Sequence, residues 1–197
     1  MTGMAFKTAI EQTEEPKDEE LIRLVARGDR QAFSVLAERY MNMLYSLARR
    51  MSPTESQAED IVQEALLRIW EKAALWKENG GASVKTWAYR VTYNLAVDWH
   101  RKTKKEFYGS VPDENLVEPG ENAEKAMQKA QTGKIIAEQI QSLPERQQTA
   151  LVLTYYEGLS NAEVAEVMGT SVKGVEALLV RARKQMHKKL EKLEGVL

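Results

Sequence analysis

The sequence predicts an all-α protein built as two small helical domains joined by a flexible linker. Three observations carry that expectation. Apolar residues recur at three- and four-residue spacing almost throughout, and no stretch alternates as a half-buried strand does. Residues 106–126 break the pattern with Gly109, Pro112, Pro119, Gly120 and six carboxylates, a composition that resists packing. At 197 residues the chain suits one domain or two small ones, each with a modest core. The expected segments are an acidic tail over 1–17, a first domain over 18–105, an acidic linker over 106–131 and a second domain over 132–197.

Each element has its own local reason. Asp18 is placed to cap a short helix carrying Leu21, Ile22, Leu24 and Val25, and Gly28 to end it. Asp29 is placed to cap a second helix, with Phe33, Leu36, Tyr40, Met43, Leu44, Leu47 and Met51 on one face. Ser52-Pro53 stops it, because proline lacks the amide proton a helix needs. A third helix runs from about Ser56 to Leu75, with Ala58, Ile61, Val62, Ala65, Leu66, Ile69, Trp70 and Ala73 inward. Residues 76–83 form a loop marked by Gly80-Gly81. A fourth helix is expected from about Val84 to Lys105, with Trp87, Ala88, Val91, Leu95 and Trp99 as its seam. Helical pattern resumes near Ala123 and runs to Ile140. Pro144 then opens a helix at its first position, where a missing N–H costs nothing. That helix carries Ala150, Leu151, Leu153 and Tyr155 and ends at Gly158.

Residues 158–190 hold the most specific pattern. Ser160 and Glu163 form a capping box for a short helix, with Val164, Ala165, Val167 and Met168 inward. Gly169 ends it, and Thr170 or Ser171 caps a longer helix burying Val175, Leu178, Leu179, Ala182, Met186 and Leu190. A short helix, a Gly-containing turn and a longer helix with a basic end form a helix-turn-helix signature. In that motif the N-terminal residues of the second helix meet base edges in the major groove. Here those are Ser171, Lys173, Gly174, Glu176 and Ala177. Arg181, Arg183, Lys184 and Lys188 would face phosphates. Gly174 has two readings: close approach of backbone to DNA, or simple tolerance of glycine in a first turn.

Composition narrows the function classes. With 43% hydrophobic and 29% charged residues, the chain has an ordinary soluble balance. The absence of cysteine excludes a disulfide framework, a thiolate metal site and a Cys nucleophile. His100 and His187 are far apart, so no zinc site and no cofactor are expected. No apolar run reaches the roughly 18 residues of a membrane span, and the N-terminus lacks a signal pattern. A cytoplasmic protein without membrane insertion is expected. No phosphate-binding glycine loop or carboxylate pair marks an enzyme.

The net charge of −1 conceals strong segregation. Residues 1–20 carry −4 and residues 106–126 carry −5, whereas residues 97–105 carry +3 and residues 173–193 carry +5. Basic blocks at two helix ends, separated by acid, suit a polyanion-binding protein. They also suit helix C-termini stabilised by the macrodipole.

Three segments in order resemble the extracytoplasmic-function, or group IV, sigma factors of bacterial transcription. DIVQEALLRIW, residues 60–70, is similar to the family's region 2.2. TWAYRVTYNLAVDWHRK, residues 86–102, is similar to region 2.4, a Trp-anchored helix ending in an Asp-x-x-Arg pattern. SLPERQQTALVLTYYEGLSNAEVAEVMG, with the VRAR at 180–183, is similar to region 4. The resemblance covers residues 18–105 and 132–193. One departure stands out: residues 174–178 read Gly-Val-Glu-Ala-Leu where many members carry a Thr-Val-Lys-Ser-Arg type of sequence. Another is Gln148, where an Arg is common.

The resemblance implies partners for the faces read above. Asp60, Gln63, Glu64 and Arg68 share a polar face opposite the Ile61/Ala65/Ile69 seam, and the family docks this face on core RNA polymerase. The loop and helix that follow would hold unstacked bases of the single-stranded −10 element, by stacking beside positive charge. Trp76, Lys77, Asn79, Lys85, Trp87, Arg90, Arg101 and Lys102 are the candidates, with Tyr89 and Tyr93 in the same stretch. The helix-turn-helix would read the −35 element as duplex promoter DNA. The resemblance further implies an anti-sigma partner, and a linker whose carboxylates mimic RNA phosphates. Two other classes remain open: a conventional helix-turn-helix regulator with a helical sensing domain, and a helical adaptor that binds only protein.

Overall fold

The computed structural model describes residues 15–77, 80, 82–103, 133 and 135–194. Among these there are helices and turns and no strand. In chain order the helices are α1 (Asp18–Val25), α2 (Arg30–Met51), α3 (Glu55–Lys72), α4 (Val84–Thr103), α5 (residues 135–141), α6 (Glu145–Leu151), α7 (Asn161–Met168) and α8 (Val172–Glu194). A 3-10 turn, Ala73–Leu75, extends α3, and a single π-helical turn, Val152–Tyr156, extends α6. The acidic tail up to residue 14, the linker expected over 106–131 and the helix start near Ala123 lie outside the described residues.

The first domain is α1 to α4. α2 spans 22 residues and packs on α1, α3 and α4, so it is the central support. Its inward residues Leu36, Leu44, Leu47 and Ala48 are at most 1% exposed. Burying each such Leu is worth about 1.5–3 kcal/mol relative to exposure. Ala58, Ala65, Ala88 and Ala96 are fully buried along α3 and α4, and their small side chains let the helix backbones approach closely. The Asp29 carboxylate accepts from the Gln31 and Ala32 amides, so α2 starts where its cap dictates. It stops at Met51, before Ser52-Pro53.

Three local expectations are corrected. Asp18 is the first residue of α1, not its cap; Lys17 holds the cap position and makes no side-chain cap bond. The Asp18 carboxylate instead accepts from Arg39 and Tyr40 and ties α1 to α2. Burial and that bond push the Tyr40 hydroxyl well above its usual range. Pro144 is the N-cap of α6, with an extended ψ of 135°, and its carbonyl accepts from the Gln147 and Gln148 amides. Tyr155 is not inward but 56% exposed, because the π turn rotates the last residues away from the α-helical face.

The seam expected on α4 is only part of its buried surface. Ala88 and Leu95 are buried there, while Trp87, Val91 and Trp99 pack against the core only partly. A second face, with Tyr89 at 1% and Tyr93 at 7% exposure, is buried as well. The cause is tertiary: α4 lies between α2 and α3 on one side and α7 of the second domain on the other.

Candidate nucleic-acid interface

The helix-turn-helix is built by its caps. Ser160 Oγ accepts from the Glu163 amide at 3.3 Å, and the Glu163 carboxylate accepts from the Ser160 N–H at 2.8 Å. The Ser160 hydroxyl also donates to that carboxylate at 2.7 Å, and this bond, with the one from the Ser160 N–H, holds the Glu163 carboxyl below its usual range. Gly169 closes α7 in the left-handed region at φ 60°, where a Cβ is unfavourable. Of the two capping candidates for α8, Ser171 is the one used: its Oγ accepts from the Gly174 amide at 3.1 Å. Val175, Leu179 and Ala182 anchor α8 on α6 and α7.

That anchoring fixes which residues are free. Ser171, Lys173 and Glu176 at the start of α8 are exposed, with Gly174 and Ala177 half-buried beside them. Arg181, Arg183, Lys184 and Lys188 are exposed further along. The structure thus brings the predicted base-reading and phosphate-facing residues onto the open side of one helix. Gly174 has a reason neither expectation supplied. A Cβ there would sit 2.7 Å from Thr170 Oγ1 and 3.3 Å from the capping Ser171 Oγ.

The loop before α4 shapes a second candidate surface. Trp76 Nε1 donates to the Ala82 carbonyl at 3.2 Å, which fixes the ring across the loop. A polar cavity of about 490 Å³ lies between this ring and the start of α1, where Lys17, Glu19, Glu20 and Arg23 line it. Those α1 residues had no signal in the sequence, since only the fold brings them beside Trp76. Lys77 is exposed; Asn79 lies outside the described residues. On α4, Arg90, Asn94 and Arg101 fall on one exposed stripe, with half-buried Trp87 near its start. Asn94 is an addition to the expected set. Lys85 is exposed, with its ammonium 5.9 Å from the Tyr89 ring centre. Tyr89 and Tyr93 are not on the open surface. The side chain of Lys102 lies outside the described residues.

A third surface is the outer face of α3. Asp60 and Gln63 are exposed, and Glu64 accepts from Arg68 at 2.8 Å, an i,i+4 pair with both side chains partly open. Leu67, 49% exposed, sits in the middle of this polar face, seven, four and three residues after Asp60, Gln63 and Glu64; the spacing placed it there, and only its apolar character kept it out of the expected set.

No metal-binding cluster occurs among the described residues, and no described helix is long and apolar enough to cross a membrane.

Two family models match in order: sigma-70 region 2 over residues 36–106 and sigma-70 region 4 over residues 134–186. The extracytoplasmic-function RNA polymerase sigma factor SigW of Bacillus subtilis is 31% identical over 181 residues, covering 87% of this chain and 96% of that protein. Among solved structures, CnrH in complex with the cytosolic domain of CnrY aligns with a TM-score of 0.68 at 24% identity, covering 89% of this chain and 97% of that one. The sigma factor RpoE in complex with the anti-sigma factor NepR, from Bartonella quintana, aligns at 0.64 and 20% identity, covering 81% and 96%. These two likenesses establish the fold, while the sequence relationship extends over nearly the whole of SigW. The chain belongs to the extracytoplasmic-function RNA polymerase sigma factors.

Proposed function

We propose that this chain is a cytoplasmic transcription initiation factor without catalytic activity of its own, acting through three surfaces. Residues 18–105 form the unit for core polymerase and the −10 element, and residues 132–197 the unit for the −35 element. Asp60, Gln63, Glu64 and Arg68, around Leu67, dock core RNA polymerase. Trp76, Lys77, Asn79, Lys85, Trp87, Arg90, Arg101 and Lys102 hold the single-stranded −10 element and assist melting. Ser171, Lys173, Gly174, Glu176 and Ala177 face −35 base edges, while Arg181, Arg183 and Lys184 bind phosphates.

The observation that carries the reading is the start of α8. It is capped, fixed on α6 and α7, and open along the side that bears Lys173 and Glu176. Glu176 stands where many relatives carry a basic residue. An acidic residue there suits a cytosine amino group and not a guanine edge. RpoE of Bartonella quintana is in complex with an anti-sigma factor, and we propose an inhibitor of that class as a partner of this chain.

In-vitro transcription with core polymerase on a genomic library, with start sites sequenced, tests the reading. Discrete starts sharing −10 and −35 elements are expected. Silence with active core enzyme and folded protein overturns it. A gel shift with and without core enzyme separates a conventional helix-turn-helix regulator, which binds duplex tightly alone. Replacing Arg183 and Lys184 by Ala should lower −35 duplex affinity across sequences. The salt slope should fall by about one unit for each phosphate no longer neutralised.

A further inference from the structure

A buried carboxylate joins the two domains. Glu157 follows the π turn of the second domain, and its side chain is 6% exposed. Both its oxygens are taken by the first domain. Ser46 Oγ donates to one at 2.8 Å, with the Arg50 guanidinium 3.7 Å away. The Tyr89 hydroxyl donates to the other at 2.8 Å. Burial and this bond push Tyr89 well above the usual tyrosine range.

Neighbouring contacts share the same direction. Gln148 Nε2 donates at 2.8 Å to the Arg50 carbonyl, one of the acceptors left open at the end of α2. Arg50 also lies 4.5 Å over the Tyr156 ring. The backbone is irregular where the carboxylate is presented. Glu157 and Leu159 amides reach back to Val152 and Leu153, and Gly158 adopts φ +66°. A carboxylate out of water is costly unless donors converge on it. Here the donors all come from the other domain.

We propose that Glu157 is a latch that closes the free protein on itself and keeps the aromatic face of α4 covered. Tyr89 and Tyr93 are the rings concealed, and they lie in the stretch assigned above to the −10 strand, so the functional consequence rests on that assignment. The closed form cannot read a whole promoter. Elements at −10 and −35 are separated by about 25 base pairs, roughly 85 Å of duplex. A compact chain of this length has a radius of gyration of about 16 Å. The latch therefore opens when polymerase spreads the domains, and stray single strands meet a covered face before then.

The test uses the full chain. Glu157→Gln keeps the shape and removes the charge. Arg50→Ala, in the other domain, leaves the carboxylate without its cation and carries the same test where the first variant fails to fold. Small-angle X-ray scattering and anisotropy of a labelled random single-stranded DNA dodecamer are measured for each. An increased radius of gyration is expected, with tighter dodecamer binding. If the open form is about a tenth of the free wild-type chain, the gain is about tenfold. Unchanged scattering in the folded variants overturns the latch. Expansion without a gain in binding overturns the masking and the −10 assignment of α4, while closure by Glu157 stands.

Discussion

The two domains differ in the length of the helices they pack and in the shape of the apolar surface they leave open. The first packs helices of 18, 20 and 22 residues around its core, buries a further face of α4 against α7, and exposes Leu24, Val35, Met41, Leu67 and Leu75. The second uses α6 of 7 residues, a π turn and α7 of 8 residues against the single long α8. It leaves an open groove of about 450 Å³ lined by Ile136, Ile140, Leu151, Met186 and Leu190, with Tyr155 and Tyr156 at its edge. Short helices gain little from their own hydrogen bonds, so this domain depends on its caps and on packing against α8, with Val152, Leu153, Val164 and Val175 fully buried.

The largest expected effect tests the core of the first domain directly. Leu47 on α2 is fully buried, and Leu47→Ala should cost about 2–5 kcal/mol through lost transfer energy and the cavity left behind. All four tryptophans, Trp70, Trp76, Trp87 and Trp99, lie in the first domain, so a urea titration followed by tryptophan fluorescence reports that domain and its contact with α7. Leu190→Ala, on the groove, should leave this transition in place. A Leu47 variant that melts like wild type would mean that the core repacks, and the contrast between the domains would fail.

Distance along the chain decides which features were legible in the sequence. Asp29, Ser160 and Gly169 act within three or four residues of themselves, so their caps were legible. The helix-turn-helix and its open face followed from them. Glu157 was not legible as a latch, because its partners Ser46 and Tyr89 are 111 and 68 positions away. The second buried face of α4 was hidden for the same reason: two tyrosines at helical spacing look like any half-exposed pair until another domain covers them. Gln148 registered only as a departure from the usual Arg, although it is 6% exposed and bonded to α2. The Trp76 cavity was half visible, since the loop is contiguous but its α1 wall is not.

A smaller effect tests the dependence of the second domain on caps. Ser160→Ala removes the acceptor for the Glu163 amide and should cost about 1 kcal/mol. The effect should depend on pH with a definite sign. The carboxyl of Glu163 is depressed in the folded state, so its contribution is present above the unfolded value near 4.3. It is lost as pH falls through the lower folded value. Far-UV circular dichroism melts should therefore show the wild type losing part of its advantage over the variant in acid. An advantage that grows in acid would contradict the capping account.

The smallest effect sharpens the contrast at a single atom. Gly174→Ala should gain up to about 1 kcal/mol, the helix-interior propensity difference between Gly and Ala. Here the new Cβ would press on Thr170 Oγ1 at 2.7 Å, closer than real Cβ atoms come, so Thr170 must rotate or α8 must shift. In the wild-type background the gain should vanish or reverse. With Thr170→Ala the space is open, and the same substitution should stabilise by about 0.5–1 kcal/mol. The two changes must then be non-additive in a double-mutant cycle. Additivity would free Gly174 from its neighbour and return close approach to DNA as its reason. Duplex affinity of the Gly174→Ala protein, compared in the two backgrounds, separates the cases. Steric relief by Thr170→Ala restores binding where the fault lies inside the turn, and leaves it impaired where the methyl group meets DNA.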